Sequence, residues 1–365
     1  MIITIILVII IFSSVVLVHE WGHFIAARRN GIEVEEFGIG FPPRAFGIKR
    51  GNTIYSINWL PIGGFVRMKG EDEADERPGT FNAASLWAKT KVLLAGVGMN
   101  LVMAYVILLI LTLAGLPQLF DGQFSPGHPS YGQKPAVMVV DVGKDTPASR
   151  AGIAAGTLIL SGNGQGFTKE TDLQNFTKAH AGQIVSLVVK HGSKQQTDQV
   201  KLNAQQDDVG YLGVTPFAVQ TQRYGWWAPV ASAGLLLQLV AKVLAGLGAL
   251  ILYLVGLVIH HQTAATTTAA DGVTGPVGIV AILSSVVHLG WAYVMVFVLS
   301  ICVSLGVINA LPLPALDGGR LFFIWLRKLF KWPSLEVEGQ INRVGFGVLL
   351  TLMVVISYID VRRFF

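Results

Sequence analysis

The chain has 365 residues, 52% of them hydrophobic and only 13% charged. A soluble domain is usually about 25% charged, so the composition points to a membrane protein and excludes an ordinary soluble enzyme. The net charge of +5, from 27 Lys and Arg against 22 Asp and Glu, is too weak and scattered for a nucleic-acid binder; the basic residues suit the flanks of membrane spans.

A spanning helix needs about 20 apolar residues. The first candidate is 1–27. No positive n-region precedes it and no small-x-small cleavage site follows, whereas Arg28 and Arg29 do. It is expected to be a retained span with its C-terminal end in the cytoplasm. The loop 28–91 is charged but has an apolar centre, TIYSINWLPIGGFVRM at 53–68. Its β-formers, with Pro61, Gly63 and Gly64, predict a hairpin-like element. Such backbone enters a membrane only where protein or a wet cavity covers it.

The second span is predicted at 92–116, behind Lys89 and Lys91, and a linker at 117–134. Residues 135–218 read as a soluble α+β module. AVMVVDV, IVSLVVK and VKLN are strand-like, TPASRAGI and TDLQNFTKA helical, and NGQG and HGSK turns. Residues 219–277 follow as linker and apolar stretch, ending near a flexible TAATTTAA at 263–270. The third span falls within 278–319, a cytoplasmic loop at 320–343, and the fourth span at 344–361. The one cysteine, Cys302, is inside an apolar segment, so there is no disulfide framework.

At the end of the first span stands His19-Glu20-Trp21-Gly22-His23, an HExxH motif. On a helix, positions i and i+4 share a face, so both imidazoles can reach one metal. Glu20 beside them can serve as general base towards a metal-activated water. Ionisable residues inside a span are costly and mark function. A catalytic zinc needs a third protein ligand and one open position. Asp317, in NALPLPALDGG (309–319), is the residue that fits, at the close of an uncharged run. Pro312 and Pro314 forbid regular helix there, and Gly318 and Gly319 allow unusual angles. The competing reading of Asp317 is a helix-ending aspartate in a turn.

HEWGH and NALPLPALDGG, in that order, resemble the signatures of the site-2 protease family. These are the intramembrane zinc metalloproteases of peptidase family M50. The resemblance is to their bacterial, PDZ-containing branch, which cleaves anti-sigma factors. FGIGFPPR (37–44), GGFVRMKGE (63–71) and TGPVGI (274–279) match further family motifs, and the likeness covers nearly the whole chain. It implies one zinc per chain on His19, His23 and Asp317, with Glu20 catalytic. It further implies substrate handling by Asn309, Pro312, Pro314, Gly63, Gly64, Phe65 and Asn100. For Asn100, in GVGMN, an interhelical hydrogen bond is the alternative, and Val97 stands where the family has proline. Asn309 could equally cap the third span. DTPASRAGIAAGTLILSGNG (145–164) resembles a bacterial PDZ signature, with Thr157 in place of the usual aspartate. A PDZ domain binds peptides by strand addition; a steric filter against bulky ectodomains is the other reading.

The expected fold is thus a polytopic α-helical membrane protein with about four transmembrane helices, a re-entrant β-hairpin-like loop and an inserted α+β PDZ domain. The resemblance implies a multi-pass protein of the inner membrane, with the metal site near the cytoplasmic side and the PDZ domain outside. Its partners would be transmembrane substrates and the lipid bilayer, with a peptide or substrate ectodomain at the PDZ domain. The two halves of a metal site must lie at one depth, so 229–259 cannot cross once and is expected in the outer interface. Gln238 and Lys242 would supply its polar stripe. Trp226, Trp227 and Trp291 suit an aromatic belt. His260, His261 and His288 read as interfacial, and His128, His180 and His191 as solvated. The alternatives to a protease are a PDZ membrane scaffold with a vestigial metal site and a metal transporter. The transporter would need more polar residues along the spans than Asn100, Ser300, Ser304 and Asn309.

Overall fold

The computed structural model describes residues 2–71, 75, 77–192, 194–205, 210–260 and 275–364. The 263–270 tract, His261 and Thr274 lie outside them. The chain divides into two compact units.

The first unit comprises Met1–Val106, Leu236–Ala281 and Val298–Phe365. Its helix α1, Ile2–Arg29, is apolar on nearly every face before the HExxH turn, as a lipid-embedded helix must be. Strands β1 (Val34–Arg50) and β2 (Thr53–Met68) pair antiparallel across a turn at Gly51 and Asn52. Both bend. Glu36–Ile39 pairs with Ile54–Ile57 on one side and with Gly64–Arg67 on the other, while Arg44–Arg50 pairs with Thr53–Asn58. The two bent strands therefore act as four segments joined by three ladders. A buried Glu36 holds the bend. It accepts from Arg44 Nη2 (2.6 Å) and Arg44 Nε (3.1 Å), and from Ser56 Oγ (2.6 Å). The sheet packs on α1 through Phe24, Phe37, Tyr55 and Trp21.

Helix α2, Leu86–Ala114, leads into the second unit, Ile107–Leu235 with Ile282–Phe297. Its strands are β3 (Leu116–Pro117), β4 (Ser130–Val142), β5 (Leu158–Gly162), β6 (Gln165–Gly166), β7 (Ile184–His191), β8 (Lys194–Lys201) and β9 (Val214–Arg223). They form a seven-stranded sheet in the order β3-β9-β4-β5-β7-β8, with β6 beside β5. The helices α3 (Pro147–Arg150) and α4 (Glu170–Ala179) complete an α+β domain. Its core is wholly apolar, around Val137, Val139, Ile159, Phe167, Phe176, Leu187 and Leu212. The sheet begins before and ends after the expected 135–218, taking in part of the predicted 117–134 linker. Residues Leu289 and Tyr293 pack on its Ala136–Met138 face.

The remaining helices are α5 (Ala228–His260), α6 (Pro276–Val286), α7 (Trp291–Ala310), α8 (Asp317–Phe330) and α9 (Leu335–Phe364). The expected third span is thus two helices broken at Gly290 (φ 103°). Asp317 does not close α7 but opens α8, because the two prolines leave residues 311–316 without helix.

Five helices among the described residues are long and apolar enough to cross a membrane, where the sequence suggested about four. They are Ile3–Arg29, Leu86–Ala114, Gly225–Leu252, Trp291–Ala310 and Leu335–Arg362. The additional one is the 229–259 stretch. Its 33-residue helix α5 is about 50 Å long at 1.5 Å per residue, more than the ~30 Å hydrocarbon layer needs. Gln238 and Lys242 do not interrupt it.

Candidate metal centre

Helical spacing puts His19 and His23 on one face of α1, and both are buried. Their rings meet edge to face with centroids 4.7 Å apart. Room for them comes from α2. A Cβ on Gly96 would stand 2.4 Å from His23 Nε2, so no larger residue fits there.

The loop after α7 brings Asp317 to the same point. His19 Nε2 lies 2.9 Å from Asp317 Oδ2, His23 Nε2 3.1 Å from it, and the two Nε2 atoms 3.1 Å apart. These three atoms are the one cluster of His, Cys, Asp and Glu donors of this kind among the described residues. The triangle is close to the face of a tetrahedral zinc site, where bonds of ~2.0–2.1 Å put neighbouring ligand atoms about 3.3 Å apart.

The hydrogen bonds behind the imidazoles test that fit. His23 Nδ1 is 2.8 Å from the Val92 carbonyl, which can only accept, so Nδ1 carries the proton. His19 Nδ1 is 3.3 Å from the Asn100 amide Nδ2, an orientation that leaves the fully buried Oδ1 of Asn100 without a partner. Exchanging the amide's O and N, an assignment made from the hydrogen-bond network, lets His19 Nδ1–H donate to Oδ1 and removes the orphan. Both Nε2 atoms then present lone pairs to each other and to a carboxylate oxygen. Three acceptors converging at ~3 Å form a donor set that fits a cation between them, and orienting hydrogen bonds of this kind are the usual support of metal-bound histidine.

Glu20 follows His19 on α1, partly buried, and makes no hydrogen bond among the described residues. It is within electrostatic reach of His23, His19 and Asp317. Beyond the triad, Arg320 on α8 pairs with Glu71, which follows β2. Both line a cavity of about 560 Å³ with Glu336, Glu338, Asn342 and Arg343. That cavity, next to Asp317's helix, has room for several waters and mixes these polar groups with Leu335 and Phe346.

The other residues implied by resemblance divide. Asn100 is brought to the triad. Gly63, Gly64 and Phe65 are not hydrogen-bonded to it; the two glycines dock the bent sheet on α1, while the Phe65 ring lies over Gly38 of β1. Gly63 N–H donates to Ser13 Oγ (3.2 Å), which donates in turn to the Pro61 carbonyl (3.2 Å). A Cβ on Gly64 would meet Leu17 at 2.8 Å. Ser13 and Leu17 are within two turns of His19, so the strand passes beside the site. Asn309 is the penultimate residue of α7, and Pro312 and Pro314 are in the loop between α7 and Asp317. Sequence reasoning missed the Val92 carbonyl, Gly96, Ser13 and Arg320. Backbone carbonyls and glycines carry no signal of their own, and Arg320 reads only as the charge after LDGG.

A family model described as peptidase family M50 matches residues 7–352. Among curated proteins the chain is similar to Regulator of sigma-W protease RasP of Bacillus subtilis, with 28% identity covering 99% of each chain. Zinc metalloprotease RasP of Bacillus licheniformis is also 28% identical over 99% of each. The protein of that name from Geobacillus kaustophilus is 27% identical, over 98% of this chain and 97% of its own.

Proposed function

Since the chain belongs to peptidase family M50, we propose that it is an intramembrane zinc metalloprotease that hydrolyses peptide bonds within the transmembrane segments of single-span proteins. The observation that carries this reading is the convergence of His19, His23 and Asp317 on one point, with Glu20 alongside. The three would hold the zinc and leave a fourth position open. Bound there, zinc supplies a Lewis acid that polarises the scissile carbonyl and acidifies water. Glu20 accepts the proton of the attacking water and returns it to the leaving amide nitrogen.

A transmembrane helix bonds its own backbone and resists hydrolysis until it unwinds. The bent sheet of β1 and β2 suits a re-entrant element that holds the unwound segment. It exposes Trp59, Leu60 and Ile62 near the stretch that docks on α1, an apolar surface suited to lipid and substrate. The substrate class is read from the name of the Bacillus subtilis relative, a regulator of sigma-W: a membrane-anchored anti-sigma factor, or else remnant signal peptides. The α+β domain of the second unit is read as a PDZ domain outside the membrane. Arg28 and Arg29 at the end of α1 favour a cytoplasmic position for that end, in a multi-pass inner-membrane protein.

The reading is tested with reconstituted protein and a tagged single-span helix, comparing wild type with Glu20→Gln. The substitution keeps the three ligands and removes the base. Cleavage should fall by about 10²–10⁴-fold with zinc content unchanged. Equal cleavage by both proteins overturns the proposed role of Glu20.

A further inference from the structure

The loop that aims Asp317 is held from outside, by a residue 25 positions further along the chain. Ala315, two residues before Asp317, has φ +69°. That left-handed conformation is strained for any residue with a Cβ. Its N–H points away from the chain's local hydrogen bonds and donates to Asn342 Oδ1 on α9 at 3.0 Å. One turn on from Asn342, on the same face of α9, stands Gly345. A Cβ there would lie 2.5 Å from Pro314 Cβ and 3.3 Å from the Pro314 carbonyl. Helix α9 is therefore notched to receive Pro314 and supplies an acceptor for the next residue's amide.

From the other side α8 closes on the same loop. A Cβ on Gly318 would stand 2.3 Å from the Leu311 carbonyl oxygen, and one on Gly319 1.9 Å from that of Leu313. The loop has no slack. A change of φ at Ala315 must pass into Asp317, because the residues flanking the loop are already in contact.

We infer that Asn342 is a positioning residue for the metal centre: its side-chain carbonyl pins Ala315 in the left-handed conformation and so aims Asp317 at His19 and His23. The inference rests on the zinc reading above, and neither the helix α9 nor Asn342 touches the triad itself. Asn342 lies on the helix after the one that the ligand it serves begins.

The test is zinc affinity of the full-length protein in detergent, by competition with a chromophoric chelator. Wild type is compared with Asn342→Ala, Asn342→Asp and Ala315→Gly, and with the double variant Ala315→Gly/Asn342→Ala. Removing a residue that orients a metal ligand typically weakens binding 10–100-fold, and Asn342→Ala should weaken zinc by at least about tenfold. Asn342→Asp keeps an acceptor at the same place and should recover most of it. Glycine adopts φ > 0 without penalty, so in the Ala315→Gly background the effect of Asn342→Ala should shrink. A merely structural role for Asn342 would not respond to Ala315→Gly in this way. Should Asn342→Ala fail to accumulate, Asn342→Gln, which displaces the acceptor by one methylene, takes its place with the same expectation. Unchanged zinc affinity in the folded variant overturns the inference alone. A wild-type chain that takes up no zinc overturns the metal reading, and this inference with it.

Discussion

The two units bury polar groups on opposite terms. The sheet domain follows the usual rule of a soluble fold. Its central cluster, from Val137 to Val214, is entirely apolar, and polar side chains such as Thr146 work at its margins as caps. The helical unit is apolar outside and buries His19, His23, Asn100, Glu36 and Asp360. In hydrocarbon, each such group is costly unless partnered, and each is. Glu36 has two arginines, Asp360 accepts the N–H groups of Gly275 and Gly278, and the histidines have the triad. The difference teaches where to look. In the sheet domain the information lies in the pattern of apolar residues; in the helical unit it lies in the few residues that break it.

The comparison predicts that function and fold can be damaged separately. The largest effect should come from His23→Ala. It removes one of three ligands, so metal analysis of the purified protein should find zinc lost and cleavage below detection. Hydrogen exchange in the sheet domain should be unchanged. Phe167→Ala is the reverse case. Phe167 is fully buried against Phe176, and truncating a buried aromatic costs about 3–5 kcal/mol. The sheet domain should lose protection from exchange while zinc content stays at one per chain. Zinc loss in Phe167→Ala would show that the two units are not separable in this way.

A finer test sits at Asn100, whose amide on α2 lies 3.3 Å from His19 Nδ1 on α1. Asn100→Ala deprives His19 Nδ1–H of its acceptor, and zinc affinity should fall about 10–100-fold. Asn100→Asp, which retains an acceptor, should lose much less. Equal losses in the two variants would mean that Asn100 serves packing alone.

Legibility followed the same division. HExxH and Asp317 stood out because each interrupts an apolar run, and the structure brings these four residues together. Strands β4 and β7 and helix α4 were visible from alternation and turn residues. Of strand β8, KQQTDQVK, only the last two residues fell within the expected strand VKLN; it is an edge strand with one buried position, so the rest carries no apolar alternation. Strand β9, Val214–Arg223, was hidden by Pro216 and straddles the module's expected end at 218. The bends of β1 and β2 are held by a buried Glu36 paired with an exposed Arg44, which in sequence look like two ordinary charges. The crossing length of α5 was discounted because a parity argument, not its composition, spoke against it. Asn342 could not be found at all: nothing local links it to Ala315, and a left-handed alanine has no sequence signature.

The smallest expected effect belongs to the sheet domain's surface and sharpens its contrast with the helical unit. Asp172, half-buried in the first turn of α4, accepts from Thr168 N–H (2.9 Å), Thr168 Oγ1 (2.8 Å) and Lys169 N–H (2.9 Å) through one carboxylate oxygen. These bonds, the Thr168 N–H foremost, favour the ionised form and hold its pKa below the ordinary carboxylate value. The unfolded chain then takes up a proton more readily than the folded one as pH falls. The cap's stabilisation is therefore present in full above the unfolded value of about 3.9 and fades as pH drops through the lowered folded value. Asp172→Asn removes the charge and with it that dependence. Urea midpoints of the domain, followed by hydrogen-exchange pulses read at α4, should differ between wild type and variant at pH 7. The difference should begin to shrink below about pH 4 and go on closing as pH falls through the lowered folded value. A difference that persists at low pH would mean that the carboxylate's charge is not what the cap uses, whereas the zinc content of Asp172→Asn should match wild type throughout.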